Sequence, residues 1–144
     1  MVYRKTLKWN NPKLKEEVSD VFFKDRKTLQ GDLFDTLKIE NRKIVSAPEV
    51  GLPKKAIAMD AASLVISKEK YVCLFNPKVL FIDPPQEFFQ SCLTLPHFYA
   101  TVYRYPIVEI SSDTSDGIKI FKLFDDDAAE FQKALDFMDG KTLL

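Results

Sequence analysis

The feature that most restricts the fold is a change of period near the C-terminus, in "GIKIFKLFDDDAAEFQKALDFMDGK", residues 117–141. The first eight residues alternate, with Ile118 and Ile120 as apolar positions and Leu123 as a further member, which predicts a strand. Ala128, Phe131, Leu135 and Met138 then recur at i, i+3, i+7 and i+10, which predicts a helix over 125–138 with one buried face. Asp125, Asp126 and Asp127 open it, where carboxylates favour the helix dipole, and Gly140 follows at a C-cap position. A strand feeding a helix that must bury one face calls for an α+β architecture.

The rest of the chain supplies the partners. Residues 25–38 predict a second helix: Leu29, Leu33 and Leu37 share a face with Phe34, Asp25 is a candidate cap, and Gly31 costs helix propensity. "VYRKTLKW" at 2–9 reads as a short strand, and "NNPKLKEEVSDVF" as a turn followed by irregular or extended chain. "AIAMDAASLVIS", "YVCLFNPKVLFI" (interrupted at Asn76-Pro77) and "ATVYRYPIVEIS" read as strands. Strands between two helices predict mostly antiparallel pairing.

A chain of 144 residues is read as one domain, 1–144, able to bury a core without disulfides or zinc. Its 12 phenylalanines predict an aromatic-rich core, and its 4 glycines predict few turns with positive φ. Lysine plus arginine (21) balances aspartate plus glutamate (21), so no global attraction to nucleic acid exists. The cluster Arg4, Lys5, Lys8, Lys13 and Lys15 reads as a solvated strand and turn. Cys73 and Cys92 make no disulfide framework, and no apolar run is long enough for a membrane span or signal peptide. The expected location is the cytoplasm, including a virus particle assembled there.

Three stretches, "SAPEVGL" (46–52), "QSCLTLP" (90–96) and "QKALDFMDGK" (132–141), occur in the order and separations of the three motifs of peptide deformylases. "NPKVL" (76–80) and "YATVYRY" (99–105), with Arg104, resemble that family's connecting strands. The resemblance spans most of the chain. It implies a peptide-deformylase-like fold, with antiparallel sheets around a C-terminal core helix. In the family the motif-two cysteine and two motif-three histidines hold a metal, and a glutamate between those histidines is the general base. By resemblance the cysteine is Cys92, but the histidine positions are Lys133 and Phe137 and the glutamate position is Ala134. The family's oxyanion-binding glutamine falls on Glu49, its companion backbone donor on Leu93, and two upstream glycines on Arg42 and Ile44.

These departures remove two metal ligands, the base and an oxyanion donor. A lysine ammonium has no lone pair, phenylalanine cannot ligate, and an ionised Glu49 only accepts hydrogen bonds. The lone histidine, His97, is read as a surface or packed residue rather than a ligand. Two readings of Lys133 stand: it enters the space beside Cys92 and pairs with Glu49, or it snorkels to water and leaves Glu49 exposed. Phe137 is expected to fill the second ligand's place as core, and Cys92 to be a packed thiol rather than a nucleophile. Phe88, Phe89 and Phe98 are candidates for a sticky patch at the groove mouth, with burial in the core as the plainer reading.

The functional expectation is a catalytically inactive peptide-deformylase homologue acting as a structural or protein-interaction component, more specifically a phage virion or assembly protein. With the sequence stopping at Leu144, the expectation is of a short form without the basic tail that tethers some family members to the ribosome. One alternative is a metal-free module binding peptide N-termini in the old substrate groove. A third is an active deformylase with altered ligands. No cofactor, metal, nucleic acid or membrane is expected; a protein partner is.

Overall fold

The computed structural model describes residues 4–8, 10–61, 70–92 and 95–141, with the backbone path alone at 92 and 95–98. Two helices, α1 (Arg26–Ile39) and α2 (Asp125–Met138), accompany seven strands: β1 (Ile44–Ser46), β2 (Ala56–Asp60), β3 (Tyr71–Ile82), β4 (Gln86–Cys92), β5 (Leu95–Arg104), β6 (Ile107–Thr114) and β7 (Gly117–Phe124). Five strands form an antiparallel sheet in the order β1-β2-β3-β6-β7, and β4 and β5 pair as a separate hairpin. The α+β class and the terminal core helix are as the sequence predicts.

Alternation along the strands divides the core in two. On one face Ile57, Met59, Val72, Leu74, Val108, Ile110, Phe121 and Leu123 meet Ala128, Phe131 and Ala134 of α2. On the other, Ala56, Ala58, Cys73 and Phe75 meet Leu29, Leu33 and Leu37 of α1. Helix α2 has the predicted bounds, but of the predicted stripe only Ala128 and Phe131 are buried; Leu135 and Met138 are half-buried, and Gln132, Lys133, Ala134 and Phe137 are inside. It ends in a full Schellman motif, with Gly140 N–H donating to Phe137 O (3.1 Å) and Lys141 N–H to Asp136 O (2.8 Å). Gly140 takes φ +73°, the left-handed region that glycine enters without a Cβ penalty.

Several expectations are corrected. Residues 4–8 form no strand; Leu7 N–H reaches Glu49 O (2.8 Å) and Arg4 O accepts from Thr36 Oγ1 (2.7 Å), so this segment is bound by single contacts. Asp25 sits before α1 but makes no side-chain cap. Strand β3 runs through Asn76-Pro77, taking up the proline as a bulge with Asn76 at φ +51°. The strand read over "ATVYRYPIVEIS" is two, parted at Tyr105-Pro106. In β7 the buried residues are Phe121 and Leu123; Ile118 and Ile120 face out, Ile118 being 70% exposed. Positive φ is more frequent than four glycines suggest, because Asn41, Asn76, Asp83 and Asp125 adopt it too. Of "AIAMDAASLVIS", residues 62–67 lie outside the described residues.

Candidate functional site

The site is built where α2 passes beneath β1 and the end of β4. Helix geometry places Lys133 and Phe137, four residues apart, on one face, with Ala134 beside them. Ala134 is buried in the same apolar cluster as Ile44, the residue at one of the two expected glycine positions. Phe137 is 1% exposed and packs with Leu14 and Leu7 of the N-terminal segment. Its predicted core role is met.

Lys133 is buried, with 8% of its surface exposed. Its Nζ donates to the Ser91 carbonyl (2.5 Å) and lies 2.8 Å from Glu130 Oε2, an i, i+3 pair on the same helix. Ser91 immediately precedes Cys92, so the ammonium does approach the cysteine's strand. The expected Lys133–Glu49 pair does not form. The Glu49 carboxylate is already held elsewhere: Oε2 accepts from Arg42 Nη2 (2.7 Å), and Oε1 accepts from Ser46 N (3.1 Å) and Ser46 Oγ (3.0 Å).

The local sequence dictates that arrangement. A 3-10 turn, Ala47–Val50, follows β1 and is closed by Gly51 at φ +84°. Within it Ser46 and Glu49 stand three apart, the spacing at which a glutamate reaches back to the turn's first N–H. Arg42 is aimed by the end of α1, a second Schellman motif with Asn41 in the left-handed position; Asn41 N–H donates to Lys38 O (3.4 Å) and Arg42 N–H to Leu37 O (2.9 Å). Arg42 Nη1 also donates to Thr6 Oγ1 (3.0 Å), and Thr6 N–H donates to Glu40 Oε2 (3.0 Å). A buried network thus ties the N-terminal segment, α1 and the turn together around Glu49, which is 1% exposed.

Two polar residues of the "QKALDFMDGK" stretch take positions that sequence reasoning passed over. Gln132 clamps the β5–β6 junction, accepting from Tyr105 N (2.9 Å) and donating to Tyr105 O (2.7 Å). Asp136 accepts from Arg104 Nη1 (2.6 Å), while Arg104 Nε donates to Gln90 Oε1 (2.9 Å). By the resemblance, Gln132 and Asp136 are kept unchanged, as are Gly140 and Lys141 after them, and the first two serve the fold. Their retention beside three altered neighbours was the signal available in the sequence. Cys92 ends β4 and pairs across the hairpin with Leu95; its side chain, that of His97, the whole of Leu93, and Phe98 beyond its backbone lie outside the described residues. Phe89 is 73% exposed and stacks on Tyr99 at 5.3 Å, against the plainer reading of burial, while Phe88, the next residue along the strand, is half-buried.

Could these residues hold a dication? Among the described residues no group of three His, Cys, Asp or Glu side chains is arranged for one. At the two helix positions required, one side chain is a phenyl ring sealed by Leu14 and the other an ammonium already paired. They do not fit the metal that the resemblance implies.

Comparison with known proteins agrees with the fold. The family described as "Polypeptide deformylase" matches residues 3–144. A peptide deformylase of Acidobacterium capsulatum is 26% identical over 97% of this chain and 84% of its own length. A "Peptide deformylase-like" protein of Staphylococcus epidermidis is 27% identical over 97% and 86%. Among solved structures, a peptide deformylase from Legionella pneumophila superposes with a TM-score of 0.85 at 25% identity, covering 99% of this chain and 84% of that one. A probable peptide deformylase from Synechococcus phage S-SSM7 shares the fold, with a TM-score of 0.82 at 22% identity and 96% of each chain covered. With the family match running over residues 3–144 and the fold superposing over 99% of the chain, the chain belongs to the polypeptide deformylase family.

Proposed function

We propose that this member of the family has given up deformylation and acts through protein contacts, as an interaction or structural component. The observation that carries the reading is Phe137, buried against Leu14 at the position where the family places a ligand. Replacing a ligand with sealed apolar core makes the loss structural rather than a matter of metal supply. The other changes support it. Ala134 has no group to take a proton from water, and the Glu49 carboxylate, turned to Arg42 and Ser46, offers no donor to a developing oxyanion. Ile44 and Arg42 put bulk where the resemblance expects glycines, which argues against an open peptide groove. The exposed Phe89–Tyr99 stack supports a protein partner. The same reading places the chain in the cytoplasm or in a particle assembled there.

The names of its relatives favour a second reading, an active hydrolase with altered ligands. Incubation with formyl-Met-Ala-Ser and added iron, nickel, cobalt or zinc, scored by release of the free amine, separates the two. We expect no rate above the protein-free control. Turnover that a chelator abolishes would establish the second reading.

A further inference from the structure

Helix α1 covers β1, β2 and the first half of β3 and leaves β6 and β7 uncovered on that face. A groove runs along its open flank. Two cavities of about 480 and 290 Å³ adjoin at Gln30 and Ser115, which line both, and are taken together as one channel. One wall is α1, the other the β6–β7 turn, and the floor is Tyr71 and Phe75 of β3.

The channel is cationic. Arg26, Lys27 and Lys38 line it from the helix, and Lys70 from the start of β3. Arg26 is paired with Asp113 (2.9 Å), but Lys27, Lys38 and Lys70 make no ion pair among the described residues. Asp116 is the acid on the opposite wall. Three of the four cations are seated on aromatic rings: Lys38 and Lys70 lie 5.7 and 5.4 Å from the Tyr71 centroid, and Arg26 5.4 Å from Phe23 and 5.2 Å from Phe75. Held this way, they keep N–H donors for a ligand at little further cost in side-chain entropy.

We propose that this channel binds an extended acidic peptide segment of a partner protein. Charge complementarity selects an anion. The ring contacts select the kind, because single-stranded nucleic acid binds by stacking bases on free aromatic faces. Here Tyr71 carries Lys38, Lys70 and, at 5.5 Å, Phe34, and Phe75 is buried; Phe23 alone keeps an open face, with Arg26 over its ring, so the channel offers no run of free rings for successive bases. The length fits as well. From Arg26 to Lys38 is about 18 Å of helix, a distance that about five or six extended residues cover. Phe23, 84% exposed at the channel's end, offers an apolar contact to an aromatic residue of that segment.

The channel lies on the face of the sheet away from α2, so its test is independent of the deformylation assay. A fluorescent hexapeptide of aspartate and glutamate with one central phenylalanine is the probe, read by anisotropy at low salt. Its asparagine–glutamine counterpart and a labelled oligo-dT serve as comparisons. Acidic peptide should bind at least about tenfold more tightly than either, and K27E/K38E should weaken it by at least about tenfold. Both lysines are exposed, so that variant should keep the parent's circular dichroism and Tm. Equal binding of the neutral peptide, preference for oligo-dT, indifference to K27E/K38E, or no binding at millimolar peptide would each overturn the proposal.

Discussion

Glu49 shows how a single residue changes its work. Its exposure of 1% forbids an unpaired charge, and Arg42 supplies the partner at 2.7 Å. Arg42→Ala should therefore cost about 3–5 kcal/mol, because it leaves a buried carboxylate uncompensated. Glu49→Gln in the Arg42→Ala background should recover part of that loss, since the amide oxygen still accepts from Ser46 without carrying charge. Urea unfolding of the two variants and the parent measures both. The Ser-x-x-Glu spacing at 46–49 is the sequence signature of a local reach-back, and the reading that paired Glu49 with Lys133 passed over it. The Arg42 contact was not legible there, because it depends on how α1 ends at Asn41. A second residue-scale test concerns Cys73, whose thiol is pushed well above its ordinary value of 9.0 by burial. Above pH 9 the unfolded chain releases that proton while the folded one retains it, so the unfolded state binds fewer protons and stability falls as pH rises. Cys73→Ala should flatten the decline above pH 9 by up to about 1.4 kcal/mol per pH unit. A decline identical to the parent's would place Cys73 in contact with water.

Among the elements, α2 was readable to its bounds because its period, acidic start and glycine end all agree. Strand β7 misled because both its faces carry large apolar residues, Ile118, Ile120 and Phe124 on one and Phe121 and Leu123 on the other. Alternation alone does not say which face a helix will cover; here α2 covers the Phe121–Leu123 face. The residues at 4–8 were misread as a strand for a related reason. Their pattern is that of a chain lying across other elements, and pairing partners are long-range facts. Helix α2 depends on that segment, since Phe137 packs with Leu14 and Leu7. Phe137→Ala should cost about 3–5 kcal/mol and Leu14→Ala about 2–5 kcal/mol. The double variant should lose less than the sum by about 0.5 kcal/mol or more, as expected for residues in contact. Strict additivity in thermal or urea unfolding would mean that the two do not share a cavity.

Across the whole molecule, the family's architecture is present while the positions that the resemblance assigns to its chemistry carry other side chains. Gln132, Asp136, Arg104 and Gln90 still join α2 to the β4–β5 hairpin and to the β5–β6 junction. The positions that would hold metal and move protons instead fill space, in Phe137 and Ala134, or satisfy neighbours, in Lys133 and Glu49. The fold was legible because motif order and separation survive; the substitutes' partners were not, because the vacated space admits more than one pairing and packing decides among them. The most direct test is anaerobic titration of the reduced protein with cobalt(II), followed by visible absorption and by metal retained after gel filtration. The account predicts no tetrahedral cobalt spectrum and no metal retained. One equivalent of cobalt carried through the column, with a thiolate charge-transfer band lost on Cys92→Ala, would contradict it.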